Sequence, residues 1–325
     1  MKQIFYFGHC WADNIGNAFI DFGINYCLKE ALKDQDVQIN NISNMQPYND
    51  YKFNYRFPYN YLSGGRKKAD SVFDLRMQTK PDLVILGGSL FDVFWCKVHS
   101  KFLDWLIQNQ YPVFVLGGGG GNNYSQEELD FVSSYWKKIN FIGYVARDEK
   151  AFSNFGKYAK IAYSGIDNAF FLNNAFTPAP LNMEPFIINS FDLTYLRTVK
   201  EGSKKIIKLS HRLLDVDSFK YFLVKRFKAF KLIKSYDLIT DYPNDYLHLY
   251  ANADVTHSDR VHACVSSLIF GKKAQYYDKS DRSYLFDRVG LSEIRNKPVE
   301  LDMDFIEKEK QKQLEVIKEI YMQIC

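Results

Sequence analysis

The residues best able to do chemistry occupy a polar turn that ends in Arg260-Val261-His262. The apolar residues before the turn predict a strand ending near Thr256, and the apolar run from Val261 to Phe270 predicts a helix. Arg260 and His262 then lie at the start of that helix. An arginine guanidinium can bind a carboxylate or phosphate through two parallel hydrogen bonds, and a histidine can transfer a proton near neutral pH. The pattern favours anion binding with acid–base chemistry. A surface Arg–Asp pair with a capping histidine is the plainer alternative.

Glycine clusters follow two other predicted strands. Gly87-Gly88-Ser89 follows one apolar run, and five glycines from Gly117 to Gly121 follow another. Glycine lets the bare backbone approach a ligand, and a helix N-terminus presents free N–H groups to an anion. We therefore expect phosphate or carboxylate binding at these turns, although a tight strand-to-helix connection would use the same residues. The dinucleotide fingerprint G-x-G-x-x-G fails because Asn122 or Asn123 occupies its third glycine position, and no G-x-x-x-x-G-K-[ST] motif occurs.

Strand and helix patterns alternate along the chain and must position these residues. Strands are predicted at 4–7, 83–86, 113–116, 141–145, 161–163, 186–189, 253–256 and 274–277, and helices at 14–32, 99–108, 125–137, 261–270 and 301–325. Continuous apolar strands separated by amphipathic helices are typical of a parallel sheet in an α/β fold. Such sheets bind ligands beyond the carboxyl ends of their strands. The glycine clusters and Arg147, which follows the strand at 141–145, should therefore line one cleft between two domains.

The length of 325 residues suits two domains of ordinary size. Residues 173–185 contain three prolines and form the predicted linker. The predicted division is an N-terminal α/β domain at 1–175, a C-terminal α/β domain at 185–300, and a C-terminal helix at 301–325.

Charge and cysteine content exclude several classes of protein. The net charge of +4, from 42 basic and 38 acidic residues, is too small to favour nucleic-acid binding. The five cysteines are odd in number and contain no C-x-x-C motif, so a disulfide scaffold or zinc ribbon is not expected and reduced thiols favour the cytoplasm. No cluster of metal ligands is visible. Neither a signal-peptide core nor a run of 18 apolar residues is present, so a cytoplasmic protein without a membrane span is expected.

The order of the motifs resembles that of the polysaccharide pyruvyl transferase family. The family has an N-x-G-D element, a strand ending in a glycine cluster, an A-R-D element, a D-P-A element, and S-R-[LF]-H-[AG] before an apolar helix and G-K-P. The matching segments are Asn14-Ile15-Gly16-Asn17, Gly87-Gly88-Ser89 and Gly117 to Gly121, Ala146-Arg147-Asp148, Asp167-Asn168-Ala169, and Asp259-Arg260-Val261-His262-Ala263. Lys279 falls where the family has a lysine. The resemblance extends from about residue 5 to residue 295.

The resemblance implies a GT-B-like fold, in which two Rossmann-like domains face each other across a cleft. Residues 1–175 would then form the acceptor side and residues 185–300 the donor side. It also implies no metal or cofactor. Phosphoenolpyruvate would be the donor substrate. Its three-carbon unit would be attached to two hydroxyls of one sugar as a cyclic ketal, and phosphate would leave. Arg260 and His262 carry over as the catalytic donor-binding and acid–base residues. Substrate-binding positions are expected at Arg147, Asn14, Gly16, Asn17, Gly87, Gly88, Ser89, Gly118, Gly119, Gly120, Ser258 and Lys279.

The sequence departs from the family pattern at several positions. Asn17 replaces the usual aspartate, Asn168 and Lys273 replace prolines, and Ala151 stands where serine is common. The first change puts an acidic role near residue 17 in doubt. Two other functions stay open: a GT-B glycosyltransferase that uses a nucleotide sugar, and a non-catalytic subunit that binds a glycan or lipid precursor.

Two further segments suggest partners. The Tyr-rich residues 46–62 are expected to border the acceptor site, because tyrosine offers both an apolar face and a hydroxyl to a sugar. A structureless insertion is the alternative. Residues 197–235 carry 12 Lys or Arg and 3 acidic residues. This excess favours peripheral contact with an anionic membrane, where the acceptor sugar would be carried on a lipid diphosphate. A helix packed on the sheet, with its lysine stems along the surface, is the alternative.

Overall fold

The structure is a computed structural model of the chain. It describes residues 1–9, 11, 14–43, 74–88, 92–120, 123–192, 197–211 and 236–324. The predictions for Ser89, for the Tyr-rich residues 46–62 and for residues 212–235 of the basic segment therefore lie outside the described residues and stay predictions.

The first sheet has six parallel strands in the order β2-β1-β3-β4-β5-β6. Its strands are β1 Lys2–Gly8, β2 Val37–Ser43, β3 Leu83–Gly87, β4 Val113–Gly118, β5 Phe141–Ala146 and β6 Ile161–Ser164. Every residue of β3, β4 and β5 is buried. These central strands are covered on both faces, which explains their continuous apolar sequences.

The second sheet has four parallel strands in the order β10-β9-β7-β8. Its strands are β7 Phe186–Ser190, β8 Lys205–Lys208, β9 Val255–Ser258 and β10 Lys273–Tyr276. The two central strands, β7 and β9, are wholly buried. Their carboxyl ends lie side by side, because Ser190 pairs with Ser258. The predicted site residues Arg260 and His262 follow this edge.

Helices connect the strands in both sheets. In the described residues they are α1 Gly16–Ala31, α2 Val93–Val98, α3 Ser100–Asn109, α4 Gln126–Trp136, α5 Glu149–Phe155, α6 Leu172–Ala175, α7 Pro243–Asn252, α8 Val261–Ile269, α9 Tyr284–Arg288 and α10 Met303–Met322. Local sequence explains several of their starts. Ser125 and Glu128 form a capping box at α4, and Pro243 occupies the first turn of α7.

The predicted α/β fold with parallel sheets and a C-terminal helix is confirmed. Two strands, β2 and β8, were not predicted. Both lie at the edge of their sheet, where exposed polar and charged residues break the apolar pattern of a strand. The final helix is shorter than the expected 301–325, because it begins at Met303 and ends at Met322.

The contacts divide the chain into two compact units. The first unit contains residues 1–9, 27–167 and 311–325, and the second contains residues 10–26 and 168–310. Each unit holds one of the two sheets. Most of α1, up to Tyr26, groups with the second unit, and the end of α10, from Gln311, groups with the first. The predicted division at 173–185 stays a prediction. No helix in the described stretches is both long enough and apolar enough to cross a membrane.

Candidate functional site

The turn between β9 and α8 is held in place by the hydroxyl of Ser258. Its Oγ accepts a hydrogen bond from the main-chain N–H of Arg260 at 2.8 Å and donates one to the carbonyl of Ser190 at 2.7 Å. Asp259 adds a second link, to the segment that follows β7, because its Oδ1 accepts from the N–H of Asp192 at 2.9 Å. Serine and aspartate favour such turns by bonding nearby backbone. The sequence Ser258-Asp259-Arg260 thus fixes where Arg260 stands.

Arg260 and Asp192 form a buried ion pair beyond the ends of β7 and β9. The Nε of Arg260 donates to Oδ2 of Asp192 at 2.7 Å, and the side chains are 10% and 1% exposed. The same Oδ2 accepts from the N–H of His211 at 3.1 Å, and Oδ1 accepts from the hydroxyl of Ser210 at 2.6 Å. The carboxylate is well satisfied. The Nη2 of Arg260 is buried and has no hydrogen-bond partner in the described part of the chain, so it is available to an anionic ligand.

His211 lies beside this pair in a neutral state. Its Nε2 is 2.6 Å from the hydroxyl of Tyr250, and its ring meets the edge of Phe19 at a centroid distance of 5.6 Å. Burial lowers the pKa of His211 to about 3, and the positive charge of Arg260 acts in the same direction, against the opposing effect of Asp192. Its Nδ1 is buried and has no hydrogen-bond partner among the residues that the structure describes.

The start of α1 belongs to the same site. The N–H of Gly16 donates to Oδ1 of Asn14 at 3.2 Å, and Nδ2 of Asn14 donates to Oδ1 of Asn17 at 3.3 Å. A Cβ atom on Gly16 would lie 3.2 Å from Nδ1 of His211 and 3.2 Å from Cβ of His262. Asn17 accepts this hydrogen bond through its side-chain oxygen, and a carboxylate oxygen of the family's usual aspartate could accept it in the same way. The second unit therefore brings together most of the motif residues that it contains: Asn14, Gly16, Asn17, Ser258, Arg260 and His262.

A neighbouring cluster lies on β9 and beyond β10. The Nδ1 of His257 lies 3.0 Å from the hydroxyl of Tyr277, and its Nε2 lies 3.1 Å from Oε1 of Glu201. Burial lowers the pKa of His257, and Glu201 opposes that shift. The guanidinium of Arg197 stacks on the ring of Tyr277 at 4.0 Å. Lys279, two residues farther along, is exposed, and its N–H donates to Oδ1 of Asp278.

The first unit holds Arg147 in a buried ionic network. Its side chain is 5% exposed, with Nη1 3.5 Å from Oδ2 of Asp167 and Nε 3.9 Å from Oδ2 of Asp148. Asp148 also caps α5 by accepting from the N–H of Ala151 at 2.8 Å. Burial raises the pKa of Asp148, while Arg147 lowers it. These contacts give Arg147 a structural role, and its predicted part in substrate binding stays a prediction.

The glycines that were predicted to bind substrate in the first unit lie at the ends of β3 and β4, where the backbone turns or approaches a neighbour closely. The carbonyl of Gly118 accepts from the N–H of Arg147 at 3.0 Å, and a Cβ on Gly119 would lie 2.6 Å from Nε of Arg147. Gly88 and Gly120 have φ angles of 51° and 110°, which glycine adopts readily. Gly87 ends β3 in a buried position. The backbone at Gly119 therefore does approach a neighbour closely, and that neighbour is the side chain of Arg147 in the same unit.

Three buried residues of the site carry no motif that sequence alone reveals: Asp192, His211 and Tyr250. Asp192 and His211 each follow the end of a strand, which is the position that parallel sheets use for ligands. The sequence gives no signal for His211 because β8, the edge strand before it, begins and ends with lysine and lacks the apolar run of a buried strand. Among the described residues, no group of three or more His, Cys, Asp or Glu side chains is arranged to hold a metal ion.

Two parallel α/β sheets in one chain fit a GT-B-like fold, and solved structures support this fold. The chain is similar to Staphylococcus aureus MnaA in a co-structure with UDP, with a TM-score of 0.56, 14% identity, and coverage of 100% of this chain and 90% of that one. It is also similar to the UDP-GlcNAc 2-epimerase of Neisseria meningitidis bound to UDP-GlcNAc, with a TM-score of 0.51, 14% identity, and coverage of 98% and 94%. The UDP-GlcNAc 2-epimerase of Methanocaldococcus jannaschii, in complex with UDP-GlcNAc and UDP, gives a TM-score of 0.51, 15% identity, and coverage of 98% and 92%. At these identities the likeness shows the fold alone.

The sequence comparison goes further than the fold and identifies the family. Residues 14–274 match the polysaccharide pyruvyl transferase family, and the chain belongs to that family. No curated protein matches the sequence with statistical significance. The matched range begins at Asn14 and includes Arg260 and His262, so it covers the site of the second unit.

Proposed function

We propose that this protein transfers the enolpyruvyl group of phosphoenolpyruvate to a sugar of a surface-polysaccharide precursor, forming a cyclic pyruvate ketal and releasing phosphate. The observation that carries the proposal is the guanidinium of Arg260. One of its nitrogens is committed to Asp192, while the buried Nη2 has no partner among the described residues. A donor with a carboxylate and a phosphate close together suits such a group. Membership of the pyruvyl transferase family supports the same substrate class.

The reaction needs two proton movements for which the site has a candidate residue. A first sugar hydroxyl adds to C2 of phosphoenolpyruvate while C3 gains a proton and becomes a methyl group. A second hydroxyl then replaces the phosphate at C2, and its proton leaves with the phosphate. His262, in the first turn of α8 beside Gly16, is proposed as the residue that moves these protons. Arg260 would hold the anionic groups of the donor and stabilise the charge on the departing phosphate.

The acceptor and the cellular location belong to the same proposal. The acceptor is proposed to be a sugar carried on a lipid diphosphate, as expected from the family resemblance. A lipid-linked acceptor would bring the enzyme to the cytoplasmic face of the membrane. The basic segment would favour this location, since each Lys or Arg near an anionic leaflet contributes about 1 kcal/mol.

A nucleotide sugar is the competing donor, favoured by the fold shared with proteins whose structures hold UDP or UDP-GlcNAc. Melting curves with phosphoenolpyruvate, UDP and UDP-GlcNAc separate the two, because a ligand at 100 times its Kd stabilises the folded state by about 2.7 kcal/mol. Stabilisation by phosphoenolpyruvate alone supports pyruvyl transfer. Stabilisation by the UDP ligands alone overturns it.

A further inference from the structure

Among the buried side-chain nitrogens of the second unit, two that belong to the candidate site lack the hydrogen bonds that buried polar atoms normally make. They are Nη2 of Arg260 and Nδ1 of His211, and neither has a partner among the described residues. Native proteins leave few buried polar groups unsatisfied, and each exception asks for an explanation such as a bound ligand. Arg260 is the expected ligand-binding residue, whereas no sequence motif or family resemblance pointed to His211.

One carboxylate oxygen links the two residues. Oδ2 of Asp192 accepts from Nε of Arg260 at 2.7 Å and from the main-chain N–H of His211 at 3.1 Å. The backbone of His211 is also tied to the start of α1, because its carbonyl accepts from the N–H of Ile15 at 2.9 Å. His211 is therefore held beside Arg260 by hydrogen bonds that do not use its ring.

Tyr250 can determine which ring nitrogen of His211 carries the proton. The phenol of Tyr250 is fully buried, which raises its pKa well above the usual value and keeps its proton in place. When the Tyr250 hydroxyl donates to Nε2 across the observed 2.6 Å, the proton of the neutral ring must be on Nδ1. The nitrogen that has no partner then becomes a hydrogen-bond donor.

Gly16 leaves open the space next to that donor. A Cβ at this position would stand 3.2 Å from Nδ1 of His211, so any larger residue would crowd the nitrogen. The same Cβ would stand 3.2 Å from Cβ of His262. The space that Gly16 leaves free is therefore next to both His211 and His262, the proposed proton-transfer residue.

We infer that His211 is a second donor-binding residue, whose Nδ1–H donates a hydrogen bond to an oxyanion of the substrate that also contacts Nη2 of Arg260. A neutral donor beside an arginine adds a hydrogen bond without a second positive charge in a buried place. Tyr250 acts as the positioning residue that keeps the proton on Nδ1. The identity of the substrate as phosphoenolpyruvate rests on the proposed function, while the role of His211 as an oxyanion donor does not.

Affinity measurements on three variants test the inference. His211→Gln and Tyr250→Phe are compared with Tyr246→Phe, a matched control on the same helix whose hydroxyl donates to the carbonyl of Ser210 at 2.7 Å and makes no hydrogen bond to His211. Calorimetric titration with phosphoenolpyruvate should show Kd raised at least about 10-fold in His211→Gln and Tyr250→Phe, and changed less than about 3-fold in Tyr246→Phe. Titrations with pyruvate and with inorganic phosphate then show whether the lost contact was to the carboxylate or to the phosphate.

Fold and tautomer are checked in the same samples. Thermal unfolding tells a folded variant from an unfolded one, and Tyr250→Phe keeps the inference testable should His211→Gln not fold. Nitrogen-15 spectra of the wild-type protein should show the proton of His211 on Nδ1, with a shift when ligand binds. Unchanged Kd in both folded variants, or a proton found on Nε2, would overturn the inference.

The test of His211 can also be told apart from the test of the proposed function. If UDP binds the wild type and phosphoenolpyruvate does not, the donor proposal fails and the same variants are titrated with UDP. Loss of UDP affinity would then still support His211 as an oxyanion donor. A wild-type protein that binds none of these ligands contradicts both.

Discussion

Asp192 and Arg260 form an ion pair that uses only part of the guanidinium. Nε of Arg260 donates to Oδ2 of Asp192 at 2.7 Å, and the buried Nη2 is left without a hydrogen-bond partner in the described chain. The carboxylate thus orients the arginine and leaves another of its nitrogens for the proposed ligand. This division of one side chain between structure and binding is the basis of the first two predictions.

Arg260→Lys should raise the Michaelis constant for the donor at least about 10-fold, because one ammonium group cannot bond Asp192 and fork onto an oxyanion. The measurement is the initial rate against phosphoenolpyruvate concentration at saturating acceptor. Arg295→Lys is the matched control, since Arg295 forks onto Asp287 at 2.8 Å in the same unit. An unchanged donor constant with a changed acceptor constant would assign Arg260 to the acceptor.

Asp192→Asn should lower the free energy of unfolding by about 3 to 5 kcal/mol, because it leaves a buried arginine without its counter-charge. Urea denaturation at neutral pH measures the loss. Asp287→Asn breaks an ion pair whose side chains are about one-third exposed and should cost no more than about 1 kcal/mol. Equal losses in the two variants would contradict the buried pair as described.

His262→Gln should reduce turnover by at least about 10²-fold, the lower end of what general acid–base catalysis supplies. The protein should keep its melting temperature and its affinity for the donor. His248→Gln changes another histidine of the second unit, whose Nδ1 accepts from the N–H of Ala179 at 3.0 Å, and should leave turnover unchanged. Near-full activity of His262→Gln would remove its assignment as the proton-transfer residue.

Gly119→Ala should destabilise the first unit by about 1 to 3 kcal/mol, the usual cost of overpacking, because the new Cβ would lie 2.6 Å from Nε of Arg147. Combining it with Arg147→Ala should cost less than the sum of the two single changes, since the clash disappears. Strictly additive losses would rule out this contact as the cause. Donor titrations of the Arg147→Ala protein test its predicted binding role separately.

Acid should destabilise the protein through two buried histidines. Burial lowers the pKa of His211 and of His99 to about 3, and nearby Arg260 and Arg76, respectively, add to these shifts. In the unfolded chain both would take up a proton near pH 6.5, so their contribution is complete above that pH and is lost as pH falls towards 3. Each histidine contributes a slope of up to about 1.4 kcal/mol per pH unit. Urea denaturation at pH 7.5, 6 and 5 should show this decline, and His211→Gln should make it shallower.

Most of the fold could be predicted because the central strands are buried on both faces and carry unbroken apolar sequences. β2 and β8 could not be predicted, because these edge strands are partly exposed to solvent and contain lysines or other polar residues. At the site, Arg260 and His262 stood out because charged residues beside an apolar helix form a visible motif. Asp192 and His211 did not, because their partners are far away in sequence: the Asp192–Arg260 contact joins residues 68 positions apart. Such pairs appear only when strand order is known.

The last turns of α10 have a consequence for how the chain reaches its native state. Gln313 is fully buried in the first unit, where its Oε1 accepts from the N–H of Ile166 at 2.8 Å, and Ile320 packs against Gly143. These contacts join residues that leave the ribosome far apart in time, since synthesis adds roughly 5–20 residues per second. The six-stranded sheet is translated well before the helix that completes its core. Released chains that end before residue 311 should therefore expose apolar surface to chaperones, and released chains that include residues 311–322 should not.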